Sequence, residues 1–117
     1  LSAVVVPLAR PAPPPVQVGF DRAEMQLILD LYGRMVAAGH WRDYALRFDQ
    51  DCAAFAAFRR AAERPEVVLW KRPALRAKQG LYLLTGEAGQ PLKRGGELRP
   101  VLAPLERRLL KLVAGRA

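Results

Sequence analysis

The sequence predicts an α+β domain: a mostly antiparallel sheet of three to five strands, with an N-terminal and a C-terminal helix. Two observations carry this. Apolar residues recur at helical spacing near both ends, and the middle breaks into short β-rich stretches. The connections at 73–79 and 87–90 are too short for parallel crossovers, so sequential strands read as an antiparallel meander.

Residues 1–18 hold five of the ten prolines (Pro7, Pro11, Pro13, Pro14, Pro15) and read as an extended tail outside a single domain at 19–117. The apolar patch Ala3–Val6 has no charged leader before it and breaks at Pro7, so it does not read as a signal peptide. The first folded element is a helix over 22–38. Asp21 and Glu24 have capping-box spacing, and Phe20 and Met25 have hydrophobic-staple spacing. Met25, Ile28, Leu29, Tyr32, Met35 and Val36 stripe one face before Gly39 stops the turn.

Residues 43–49 alternate Tyr44, Leu46 and Phe48 against polar partners, the pattern of a half-buried strand. In 52–63, CAAFAAFRRAAE, both helix and strand are open. Phe55, Phe58 and Ala62 fit helical spacing and alanine favours it, so a short helix is expected. Strands follow at 66–72, 80–86 and 91–94, the last beginning with Pro91 as suits a sheet edge. Beyond Gly95-Gly96, the residues Leu98, Val101, Leu102, Leu105, Leu109, Leu112 and Val113 share one stripe interrupted by Pro100 and Pro104. Proline lacks the amide donor, so the expectation is a short turn and then the main helix, with Pro104 first and Gly115 last.

The composition is globular, with 51% hydrophobic and 26% charged residues. A lone cysteine forms no intrachain disulfide, and no apolar run approaches the ~20 residues of a membrane span, so a cytoplasmic protein is expected. The net charge of +8 is uneven: residues 1–66 carry eight basic and eight acidic residues, whereas 67–117 carry eleven basic and three acidic. Such asymmetry favours anionic partners. A GC-biased coding sequence, with fifteen Arg to four Lys and no Asn, would give the same basicity.

The reactive inventory is nearly empty. One serine (Ser2), one threonine (Thr85), one cysteine (Cys52) and one histidine (His40) cannot build a triad without the tail. A Cys52–His40 dyad lacks the cationic niche that activates a thiol. One Cys and one His do not make a zinc site, Asp49 and Asp51 read as a turn, and no Gly-rich loop ends in Gly-Lys-Ser/Thr. His40 reads as a helix-end residue bonding loose carbonyls. The expectation is a non-enzyme with no metal and no cofactor.

What remains is the basic stretch 70–96, where Lys71, Arg72, Arg76, Lys78, Lys93 and Arg94 face one acid, Glu87. In 66–72, Val68, Trp70 and Arg72 share one face, and Val67, Leu69 and Lys71 the other. If Leu81 and Leu83 join Val67 and Leu69 against the helices, Trp70 and Tyr82 are displayed outward beside Arg72. Aromatics among cations are how many sheets grip single-stranded nucleic acid. The candidate polyanion-binding residues are therefore Trp70, Lys71, Arg72, Arg76, Lys78, Tyr82, Lys93 and Arg94. The alternative role is a homodimer or partner contact through the C-terminal helix, with Leu105, Leu109, Leu112 and Val113 apolar beside Glu106, Arg107, Arg108 and Lys111.

The stretches LYGRMVAAGHWRDYALRFD (31–49), FRRAAERP (58–65), KRPALRAKQGLYLL (71–84) and LKRGGEL (92–98) together resemble a small bacterial family known as a domain of unknown function. The resemblance spans roughly residues 20–113 and implies no reaction, ligand or residue role. It implies an acidic residue in relatives where His40 stands here.

Overall fold

The computed structural model describes residues 17–61 and 63–115, so the expected tail lies outside the described residues except for Gln17 and Val18. In chain order come α1 (Arg22–Ala37), β1 (Asp43–Phe48), β2 (Ala53–Phe58), β3 (Val67–Lys71), β4 (Tyr82–Thr85), β5 (Pro91–Gly95) and α2 (Leu98–Ala114), with one 3₁₀ turn at Pro73–Leu75. The five strands pair in sequence order, β1-β2-β3-β4-β5, and every pairing is antiparallel. The α+β meander expected from the short connections is what forms.

Helix α1 starts where the capping box places it. The Asp21 carboxylate accepts the Glu24 N–H at 2.8 Å, and the Glu24 carboxylate accepts the Asp21 N–H at 2.7 Å. It ends in a Schellman motif: Gly39 takes φ 77°, its N–H reaches Val36 O at 2.9 Å and the His40 N–H reaches Met35 O at 3.0 Å. Phe20, at the staple position, sits edge-on to Phe48 with ring centroids 6.4 Å apart.

Residues 53–58 form strand β2, not the expected helix. Alanine propensity loses here because hydrogen bonding to strands on both sides outweighs it. Asp49 makes the hairpin: its carboxylate accepts the N–H groups of Asp51 and Cys52 at 3.2 and 3.0 Å, a side-chain turn that folds β2 back on β1. Helix α2 is the second correction. It runs unbroken from Leu98, with Pro104 inside it. Pro100 stands in the first turn, where amide donors have no intrahelical partner, so it forfeits nothing. Pro104 forfeits one bond, which the buried Leu98, Val101, Leu102, Leu105 and Leu109 around it offset.

Both helices join one core with the same face of the sheet. Ile28, Leu31 and Met35 of α1 and the buried stripe of α2 enclose Phe55, Ala57, Val67, Leu69, Tyr82 and Leu84, with Trp41 closing one end. Arg34 ties the helices together, its guanidinium donating to both Glu106 oxygens at 2.8 and 2.9 Å. No described helix packs on the opposite face.

Candidate functional site

Register decides which side chains reach the open face. Leu69 lies across from Leu84 and Lys71 from Tyr82, so Tyr82 and Leu84 share the helix-covered face with Val67 and Leu69. The expectation that Leu83 would turn inward and Tyr82 outward is therefore off by one residue, which in a strand reverses the face, whereas Leu81, just before the strand, does join the core as expected. Trp70 does face outward. It pairs with Ala54 on one side and Leu83 on the other, and Leu83 pairs with Arg94.

The eight candidate residues consequently do not form one surface. Trp70 and Arg94 lie on the open face, with Arg72 just past the end of β3, while Lys71, Tyr82 and Lys93 alternate to the covered one. Arg76 and Lys78 sit, exposed, on the connection between β3 and β4. Arg47 adds a cation that 70–96 does not contain: it pairs with Ala54 at the far end of the Trp70 row and lies 3.2 Å from Asp49.

On the open face the half-buried indole of Trp70 is held by a hydrogen bond from its N–H to Thr85 Oγ1 at 3.2 Å. The Arg94 guanidinium donates to Gln79 Oε1 at 3.4 Å. Arg72 Nε is buried with no hydrogen-bond partner among the described residues. Burying a guanidinium N–H without an acceptor costs stability. Around these groups the face is apolar and small: Ala45, Ala54, Ala56 and Val68, with Phe58 at one end.

Lys71 and Tyr82 belong instead to an interior network around Glu24. The Lys71 ammonium is 2.8 Å from Glu24 Oε1 and 2.9 Å from Gly19 O, and the Tyr82 hydroxyl donates to Glu24 Oε2. Burial, and then that bond to a carboxylate, pushes the Tyr82 phenol above its ordinary pKa. One signal for this was present in the sequence: Lys71 alternates with Val67 and Leu69, and a lysine on a covered face requires an acid.

Glu66 is the hub that sequence reasoning missed. Its carboxylate takes His40 Nε2 at 2.9 Å, the Trp41 indole N–H at 2.9 Å and Arg108 at 3.0 Å, with Arg59 at 3.8 Å. The His40 ring thus bonds a carboxylate, not the loose carbonyls expected; only its backbone N–H caps the helix. No local pattern announces four partners from three separate segments. The cluster joins the end of α1 to α2 and the β2–β3 connection, which is a structural task.

Cys52 lies in the β1–β2 turn and His40 just before the other end of the hairpin, so they stand ~17 Å or more apart along six-residue strands. Burial first, and then the Asp49 carboxylate, raises the Cys52 thiol pKa, the opposite of activation. Among the described residues no group of three or more His, Cys, Asp or Glu could hold a metal ion, and no helix is long and apolar enough to cross a membrane.

Fold and site define a two-layer α+β domain with a one-sided antiparallel sheet whose open face carries one fixed indole among arginines. The chain belongs to the family described as protein of unknown function (DUF2794), whose model matches residues 18–102. No curated protein and no solved structure matches it.

Proposed function

We propose that this protein is a non-catalytic cytoplasmic binding module that holds single-stranded nucleic acid on the open face of its sheet. The observation that carries the reading is the Trp70–Leu83–Arg94 row, with Arg72 just past the end of β3. A half-buried ring on a sheet face that no described helix covers can stack a base of any identity, and guanidiniums beside it can take phosphate oxygens. A base stacked on an aromatic side chain contributes ~1–3 kcal/mol.

The test is fluorescence anisotropy of labelled single-stranded RNA and DNA at low and moderate salt. Binding is expected at low salt and is expected to weaken as counterions compete. Trp70→Ala is expected to reduce affinity about tenfold or more, and Arg72→Ala and Arg94→Ala to reduce the salt dependence as well. Lys111→Ala on the far side of α2 serves as the control. Absence of binding at low salt refutes the proposal. So does binding that heparin matches and that Trp70→Ala leaves unchanged, since that is ion exchange without stacking. The apolar stripe of α2, the expected alternative contact, is largely buried in the protein's own core, leaving Leu110 and Val113 exposed at its end.

A further inference from the structure

Strand β1 is an edge strand; among the described residues no strand pairs with its outer side, and just past its end the Val18 N–H donates to Asp49 O at 2.8 Å. The Asp49 N–H bonds Cys52 O at 3.0 Å, and the register continues from there as Arg47↔Ala54, Ala45↔Ala56 and Asp43↔Phe58. Alternate residues bond alternate sides, so the backbone groups of Tyr44, Leu46 and Phe48 point outward. The Tyr44 N–H on that side is capped by its neighbour Asp43 at 2.8 Å. The side chains above this edge are apolar and only partly covered: Tyr44, Leu46 and Phe48 remain 40%, 38% and 42% exposed, although Tyr44 packs on Tyr32 and Phe55, and Phe48 on Phe20. Leu29 and Val36 of α1 are exposed too.

Charge supplies the identity of the partner. Asp43 and Arg47 lie on the same face of β1, each two residues from Ala45. We propose that β1 pairs antiparallel with β1 of a second copy of this chain about a twofold axis through Ala45. Tyr44 then lies across from Leu46 of the other copy, and Asp43 across from Arg47 of the other copy. The Tyr44 and Leu46 pairs exchange backbone hydrogen bonds. Asp43 and Arg47 meet in the non-hydrogen-bonded positions, where side chains approach most closely.

Tyr44 N–H exchanges its Asp43 cap for a carbonyl, and the released carboxylate meets the opposite guanidinium. Shifting the pairing by two residues in one direction sets Asp43 against Asp49. A further shift sets Arg47 against Arg47. Charges on an edge strand ordinarily block association. Here they are opposite in sign and symmetric, so they select one register. The product is a ten-stranded sheet with both helical layers on one side and both open faces continuous on the other.

Sedimentation of the full chain across the micromolar range tests this. The wild type is expected to dimerise with rising concentration, and Asp43→Arg and Arg47→Asp, each placing like charges opposite one another, are expected to be monomeric. Mixed together, the two variants are expected to associate. One then carries a cation at both positions and the other a carboxylate at both, so every cross-strand pair joins opposite charges. The mixture also shows that each variant is folded. A wild type that stays monomeric overturns the proposal and leaves the edge to a different chain. Variants that dimerise alone, or that fail to associate when mixed, overturn it equally.

Discussion

Removing the Lys71 ammonium tests whether the Glu24 network is the interior brace that its geometry describes. Glu24 is 7% exposed, and Lys71 is its cation at 2.8 Å. Deleting one member of a buried ion pair costs ~3–5 kcal/mol, because the other charge stays desolvated. Glu24 keeps two donors, the Tyr82 hydroxyl and the Asp21 N–H, and the Lys71 side chain is 16% exposed. These retained contacts place Lys71→Met at the lower end, ~3 kcal/mol, a fall in Tm of ~12 °C or more for a domain of this size. Glu24→Gln removes the charge while glutamine still serves the capping box. In that background Lys71→Met is expected to cost ~1 kcal/mol, giving a coupling of ~2 kcal/mol. Urea unfolding of the four proteins, followed by circular dichroism, measures the cycle. Equal costs in the two backgrounds, or a Lys71→Met cost below ~1 kcal/mol, would refute the brace.

Three further outcomes follow from the same coordinates. Tyr82 has a raised folded pKa, so its contribution is complete below the unfolded phenol value of about 10 and is lost as pH rises past it; Tyr82→Phe is expected to be ~1.5–3 kcal/mol less stable at neutral pH and to lose less on going alkaline, by urea midpoints at both pH values. Gly80 has φ 88°, and a Cβ there meets Gly95 backbone atoms at 2.8–2.9 Å, so Gly80→Ala is expected to cost ~2 kcal/mol or more in the same assay. Pro104→Ala restores the amide donor inside α2 and is expected to stabilise by ~1–3 kcal/mol, read as a higher Tm.

Local chemistry made most of the fold legible. The capping box, Gly39 and the Asp49 turn each satisfy backbone groups within a few residues, so their signals lie in short windows. What failed depends on partners distant in sequence. The AAFAAF stretch is helical by propensity, and only flanking strands make Phe55 a core residue and Phe58 an open-face one. Alternation correctly split β3 and β4 into two faces each, but nothing local states which face of β4 meets Val67. That single ambiguity placed Tyr82 outside and dispersed the eight-residue surface. Glu66 was illegible for the same reason, since Arg59 and Arg108 reach it from elements far apart in the chain.

The open face is where stability alone does not account for the residues chosen. A strand face left to water does best with threonine and other β-branched residues, and alanine is a poor strand former. Yet Ala45, Ala54 and Ala56 occupy neighbouring open-face positions on β1 and β2. Ala54, directly across from Trp70 on β2, is buried, and Thr85, on the other side, accepts the indole N–H. An aromatic ring held by a hydrogen bond has already lost freedom that binding would otherwise have to remove. Arg72, whose Nε is buried without a partner among the described residues, follows directly after the end of β3. Low strand propensity and an unpartnered buried donor each cost stability, and the stacking ligand proposed above is tested by whether Trp70→Ala removes binding.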